Sequence, residues 1–398
     1  MTDDYWERYT PSKNAPWNRQ RVEHLHRRLG FGATPQQRSR DLEDGFDRSI
    51  ERFLSPDATV LDSRTEALAR QAIDGNQIQL LKAAWVSQMW HGGDPLTEQL
   101  CLMWHNHFAT SFLKVSDCDA MWQQNQMFRK LGRGKFGELI TAILRDRAML
   151  VWLDANTNRA GQPNENLARE LLELFTLGVG NYSESDVKEV ARVLTGWRVE
   201  DSGTNFDASI HDSGTTNILG SSDVHDVNSL ADHLTNQTAT SRRLAWRLCN
   251  HFLGANVPQD AIGQLAAGLR ESQLDIQAAV ARIVRSNLFF SDAELLGRIR
   301  PPVSFVVGGI RGLNLHQPSS DQPAVSPQVA AGWMAAMGQD LFQPPGVAGW
   351  QGGSVWLGTS AMVHRAAFAL ALSNGKLVGD AKPRPAARQL AHADSQRD

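Results

Sequence analysis

Cysteine is scarce: Cys101, Cys118 and Cys249 are the three in 398 residues. They stand far apart, are odd in number and form no Cys-x-x-Cys pair, so neither a disulfide framework nor a thiolate zinc site is indicated. An excess of one charge is also missing. Forty basic and 43 acidic side chains leave a formal net charge of −3, and without a basic surplus or stripe no nucleic-acid partner is expected. No apolar run approaches the roughly 18 residues of a membrane span. The start, MTDDYWERYTPSKNAPWNRQ, lacks an apolar export segment and a twin arginine, which predicts a cytoplasmic protein. There is no Walker loop, no GxGxxG after a strand, no GxSxG elbow and no HExxH. WHNHF spells His-Asn-His, yet lacks the ββα setting and basic surroundings of a nuclease module.

Three tyrosines stand against twelve tryptophans. So many large amphipathic rings favour a helix-packed core or a groove for an aromatic or sugar-like ligand. The periodicity is helical almost throughout, and neither βαβ alternation nor a repeat of solenoid length is visible. The fold class expected is all-α: a single large helical domain with long irregular loops over 18–375, a polar extension over 1–17, and a charged, disordered tail over 376–398. Thr34-Pro35 reads as N-cap and first residue of a helix. Helices are expected over 65–90, 165–177, 184–195 and 291–315. Asn164 is expected to cap the helix 165–177, and Ser183 with Asp186 makes a capping box for the next. Residues 200–223 read as a polar loop, long enough to be functional or disordered.

Four clusters carry polar chemistry. In EQLCLMWHNHF, Glu98 and His105 share a helix face. His105 and His107 would point about 200° apart on a continuous helix, and converge on a metal only if the helix ends there. In NENLARELLEL, Asn166, Glu170 and Glu173 form one stripe and Glu165 pairs with Arg169. A carboxylate beside so much leucine needs a cation, a metal or a proton. His211-Asp212 in the polar loop offers a base with its orienter, or two solvated side chains. Trp350 and Trp356 sit on a Pro/Gly-rich loop and can wall a pocket or plug the core.

The blocks HLHRRLGFGATP, LTEQLCLMWHNHF, NENLARELLELFTLGVGNYSESDVKEVARVLTGW, HDSGTTNILG and GQDLFQPPGVAGW together resemble the bacterial domain-of-unknown-function 1800 family, in its order and over about residues 20–370. The resemblance implies a polar signature on Glu98, His105, His107, Asn164, Glu165, Asn166, Arg169, Glu170, Glu173, Tyr182, Glu184, Asp186, His211, Asp212 and Trp350. It also implies frequent export of relatives and a sulfatase-like protein partner. Three positions depart from the family pattern: Thr216 stands where lysine is usual, Arg147 where proline is usual, and Met103 where phenylalanine is common.

Three readings follow. One is an enzyme in which His105, His107 and Glu170 hold a divalent metal, Glu170, Glu173, His211 and Asp212 act on substrate, and Asn166, Arg169 and Trp350 bind it, giving hydrolysis or non-haem oxidation. The second is a metal-free enzyme with paired carboxylates acting on a glycan or other small molecule, with Trp350 or Trp356 as sugar platform. The third is a non-enzymatic binding or assembly protein that pairs with the sulfatase-like partner.

Overall fold

The structure, a computed structural model, describes residues 5–56, 61–200, 203–320 and 323–378. Among them the chain is mainly helical, with one two-stranded sheet. No described helix is long and apolar enough to cross a membrane. The described residues form two compact units: Leu100–Ile283 with Phe342–Trp350, and Tyr5–Gln99 with Val284–Leu341 and the segment from Gln351 onward.

The second unit is organised on helix Ile78–His91, whose residues Leu81 to Trp90 are all buried. Helices Pro302–Gly312 and Pro327–Ala336 pack on it. The helix expected over 65–90 is in fact two, Ser63–Asp74 and Ile78–His91. Asn76, at φ 48°, turns the chain between them. The run expected over 291–315 is likewise broken, into Asp292–Leu296 and Pro302–Gly312, because a Pro301-Pro302 pair cannot continue a helix. Thr34 does cap its helix, with Gln37 completing the box. The stretch expected as a polar extension packs inward: Trp6 and Tyr9 are buried, and Tyr9 and Trp17 join Phe46 and Phe290 in an aromatic cluster with centroids 4.7–5.7 Å apart. Of the expected tail, Lys376–Val378 forms a short 3-10 turn, and 379–398 lie outside the described residues.

The first unit is built around the C-terminal half of helix Pro95–His107. Trp104, Phe108, Phe128, Phe136 and Phe175 are fully buried there, and Trp104 stacks on Phe108 and Phe136 at 5.8 and 5.7 Å. The Trp104 indole N–H is satisfied by the Gly132 carbonyl at 2.8 Å. The stretch expected as one polar loop contains structure. Strands β1 (Trp197–Glu200) and β2 (Gly203–Phe206) pair antiparallel. The rest is fastened to helix Glu184–Val193: Asp186 accepts the Leu219 N–H at 2.7 Å, and Arg192 grips Asp212.

Candidate functional site

Helix Pro95–His107 runs through both histidines, so the convergence a metal corner needs does not occur. His105 is 1% exposed, with its ring 5.6 Å from that of Phe342 and 5.4 Å from that of Trp350. Burial lowers its pKa to about 3, which keeps it neutral. His107, also buried, is spoken for at both nitrogens. Its Nε2 lies 3.1 Å from the Phe175 carbonyl, and Arg247 Nε donates to Nδ1 at 3.0 Å. These partners fix the tautomer with the proton on Nε2 and the lone pair turned to the guanidinium. Burial, then the Arg247 and Arg243 charges, hold its pKa well below the usual histidine range. Among the described residues no group of three or more His, Cys, Asp or Glu is placed to hold a metal ion. The residues do not fit the divalent-metal expectation for His105, His107 and Glu170: the imidazoles diverge, and one has no lone pair to spare.

What the unit does bring together lies on Asn166–Thr176 and its neighbours. Asn164, expected as the cap, stands one residue before the Glu165 N-cap and accepts the Asn166 N–H at 2.9 Å. The α-helical turn Asn166–Glu170 passes into a π-helical segment, Leu171–Thr176. There the Leu177 N–H reaches back five residues to the Leu172 carbonyl at 2.9 Å, and the buried Thr176 hydroxyl donates to the Leu171 carbonyl at 2.6 Å. Single π turns inside helices gather at functional sites. Arg169 holds both Glu184 oxygens at 2.8 Å and Glu165 at 3.1 Å. Glu173 accepts the Tyr182 hydroxyl at 2.9 Å. Glu170 is half-buried, and its carboxyl is pushed up by burial first and by the neighbouring Glu173 charge second, against the pull of Arg169. Arg243 closes the back of the segment, its Nε donating to the Leu174 carbonyl at 2.7 Å. Asn166, expected to touch substrate, is exposed and lies 3.5 Å from Asp154.

His211 and Asp212 do not form a dyad. Arg192 holds Asp212 through two bonds of 2.9 and 3.1 Å, and keeps its carboxyl below the usual range. His211 Nδ1 instead lies 2.9 Å from the Thr195 carbonyl, which places the proton on Nδ1 and the lone pair on Nε2. The ring lines a cavity of about 290 Å³ whose walls are Val193, Trp197, Phe206 and Val227, with Arg145 and Asp226 as its charged members.

Trp350 is 5% exposed and Trp356 equally buried, so neither presents a face on which a sugar could stack. Both pack into the interior of their units. Glu98, in the other unit, is buried and accepts the Trp85 indole N–H at 3.0 Å, a packing role. The family departures have local accounts. Arg147 is the first residue of its helix after the Asp146 cap, the position proline favours; here its guanidinium pairs with Asp117 and Asp119 at 3.0 and 2.7 Å. Thr216 is buried with its hydroxyl on the Val224 carbonyl.

Sequence reasoning missed Arg243, Arg247 and Thr195. The two arginines stand four apart in SRRLAWRLCNHF, a one-face cation pair that was visible, but nothing local told which helix it would face. The family profile described as "Protein of unknown function (DUF1800)" matches residues 24–397. No curated protein and no solved structure matches the chain significantly.

Proposed function

The chain belongs to the DUF1800 family, and for this member of it we propose metal-independent acid–base catalysis by Glu170 and Glu173. The observation that carries the reading is the asymmetry of the pair. Two carboxyls stand three residues apart on one helix, near neighbours on its surface. Glu173 is held as an acceptor by Tyr182, while half-buried Glu170 is pushed toward its protonated form. Two carboxyls whose surroundings drive their proton affinities apart are suited to act as acid and base. Glu170 then donates a proton and Glu173 orients or deprotonates water. Arg243 lies close enough to Glu173 for the two charges to interact. The two carboxyls stand on one continuous helical stretch, near enough for their charges to interact. That suits hydrolysis of a small polar molecule better than a glycosidic bond, which two carboxyls must flank from opposite sides.

The test is a panel of ester, amide and glycoside substrates assayed in the presence of chelator. Activity that survives the chelator and disappears in Glu170→Gln supports the reading. Activity lost to chelator and restored by a divalent metal overturns it, as does full activity in Glu170→Gln.

A second reading rests on the cavity at His211. An Nε2 lone pair facing a chamber that is apolar but for Arg145 and Asp226 fits general-base attack on a small polar substrate. His211→Asn would then abolish an activity that Glu170→Gln leaves intact.

A further inference from the structure

The second unit carries a built cleft to which none of these readings assigns a role. About 400 Å³ in volume, it opens between the turn Gly30–Gly32, the C-terminal part of helix Pro35–Leu54 and the start of helix Pro95–His107. This is the size of small-molecule sites. Its apolar lining is Phe31, Phe53, Pro56 and Pro95. The lining also carries His26, Arg40, Arg52 and Arg311, and no acidic side chain is among the described residues that line the cleft.

The charges behind the wall do not balance. Asp41, fully buried, is shared by His26 Nε2 at 2.7 Å, Arg40 Nε at 3.0 Å and Arg52. Arg52 also pairs with Asp44. Arg311 has no carboxylate partner among the described residues. Its guanidinium, 7% exposed, donates to the Trp90 carbonyl at 2.7 Å, to Gln37 Oε1 at 3.2 Å and to the Gly32 carbonyl at 3.3 Å. The C-terminal carbonyl of helix Ile78–His91 offsets part of that charge, yet three arginines face two aspartates. A positive charge left in a desolvated wall costs free energy until an anion meets it.

The wall is also pre-organised. Gly32, at φ 103°, adopts a turn that a side chain would strain, and its Cβ position lies 3.3 Å from Gly308 Cα. Arg311 pins the Gly32 carbonyl and Gln37, and Asp41 holds the His26 ring by Nε2, so that Nδ1 is its remaining polar atom. A fixed guanidinium and a fixed imidazole beside apolar walls are what recognition of a charged head on an apolar body requires.

From these observations we infer that the cleft bounded by His26, Arg40, Arg52 and Arg311 binds a small oxyanion, a carboxylate or phosphate monoester, attached to an apolar body that lies on Phe31, Phe53 and Pro95. The inference is independent of Glu170 and Glu173, which lie in the other unit.

Calorimetric titration of the full chain with benzoate, phenyl phosphate, inorganic phosphate and benzamide tests it. Benzoate or phenyl phosphate should bind saturably at concentrations up to about 10 mM, and whichever of the two binds tighter identifies the head group. Benzamide, the uncharged isostere, should bind at least about tenfold more weakly, the loss expected for a charge-assisted hydrogen bond. Inorganic phosphate should also bind more weakly than phenyl phosphate, because it cannot use the apolar wall. Arg40→Glu reverses a half-exposed charge, leaves buried Asp41 its His26 and Arg52 partners, and should reduce binding of the anion about tenfold or more. Arg311→Gln should do the same if it folds. The bound anion should also raise the His26 pKa, read by imidazole nitrogen shifts, since it adds a negative charge beside a ring whose pKa burial holds below the usual range. No saturable binding of either aromatic anion, equal affinity for benzamide, or unchanged affinity in Arg40→Glu overturns the inference. Inorganic phosphate binding as well as phenyl phosphate overturns its apolar half.

Discussion

Asn106 Oδ1 accepts the backbone N–H of Trp350 at 2.6 Å. This one bond ties the turn GVAGW to helix Pro95–His107. It also explains the glycine before the tryptophan. Gly349 has φ 74°, and a Cβ there would stand 2.2 Å from Asn106 Oδ1 and 2.3 Å from the Asn106 carbonyl oxygen. Gly349→Ala should therefore destabilise the first unit by about 2–4 kcal/mol, combining left-handed strain with overpacking against backbone. Asn106→Ala should cost about 1–2 kcal/mol. Urea unfolding of both variants checks the order.

His105 gives a pH prediction. Its folded pKa, about 3, lies below the ordinary 6.5, so the unfolded chain binds its proton first. The stability it contributes is present above pH 6.5 and is lost as the pH falls from there toward 3. The slope is about 1.4 kcal/mol per pH unit for one proton. His105→Phe, with no proton to take up, should show a shallower decline of unfolding free energy between pH 6.5 and 4.5. Equal slopes in the two proteins would contradict the account.

Arg247 is predicted to hold His107 in its tautomer. Arg247→Met leaves the buried Nδ1 without its donor and should cost about 1–3 kcal/mol. It also removes a positive charge that lowers the His107 pKa, so that pKa should rise. Nitrogen chemical shifts of His107 against pH read the second effect separately from the first.

At the carboxylate pair the signs oppose each other. Glu173→Gln removes the like charge that raises Glu170, so the Glu170 pKa should fall. Arg169→Met removes the cation that lowers it, so the pKa should rise. Stability should change by less than about 1 kcal/mol in Arg169→Met, because the pairs it loses are at the surface. Carbon-13 titration of the glutamate carboxyls follows both variants.

Helices were legible wherever a cap accompanied the apolar period. Thr34 with Pro35 and Ser183 with Asp186 both start helices where the spacing placed them. Breaks were harder to read. The turn at Gly75-Asn76 sits inside a polar stretch that a 3.6-residue period crosses without penalty, and β1 and β2 are too short and polar to show alternation. At the site, Glu165, Arg169, Glu170 and Glu173 were recoverable from helical spacing, while Tyr182 and Glu184 came only from the family resemblance. The partners of His107 and His211 were recoverable from neither. Phe175, Arg247 and Thr195 reach them through tertiary packing, and no local rule states that helix Pro95–His107 continues past His105.

The π-helical segment Leu171–Thr176 has a consequence for how this helix could have arisen. A wide turn of this kind is equivalent to one residue spliced into an ordinary helix. Excising one residue there would let standard pitch resume and relieve a locally costly geometry. It would also swing Phe175 and Thr176 by about 100° relative to Glu170, and strip His107 of its carbonyl acceptor. A shorter chain would thus gain regularity while losing the alignment of its acidic stripe with the aromatic core.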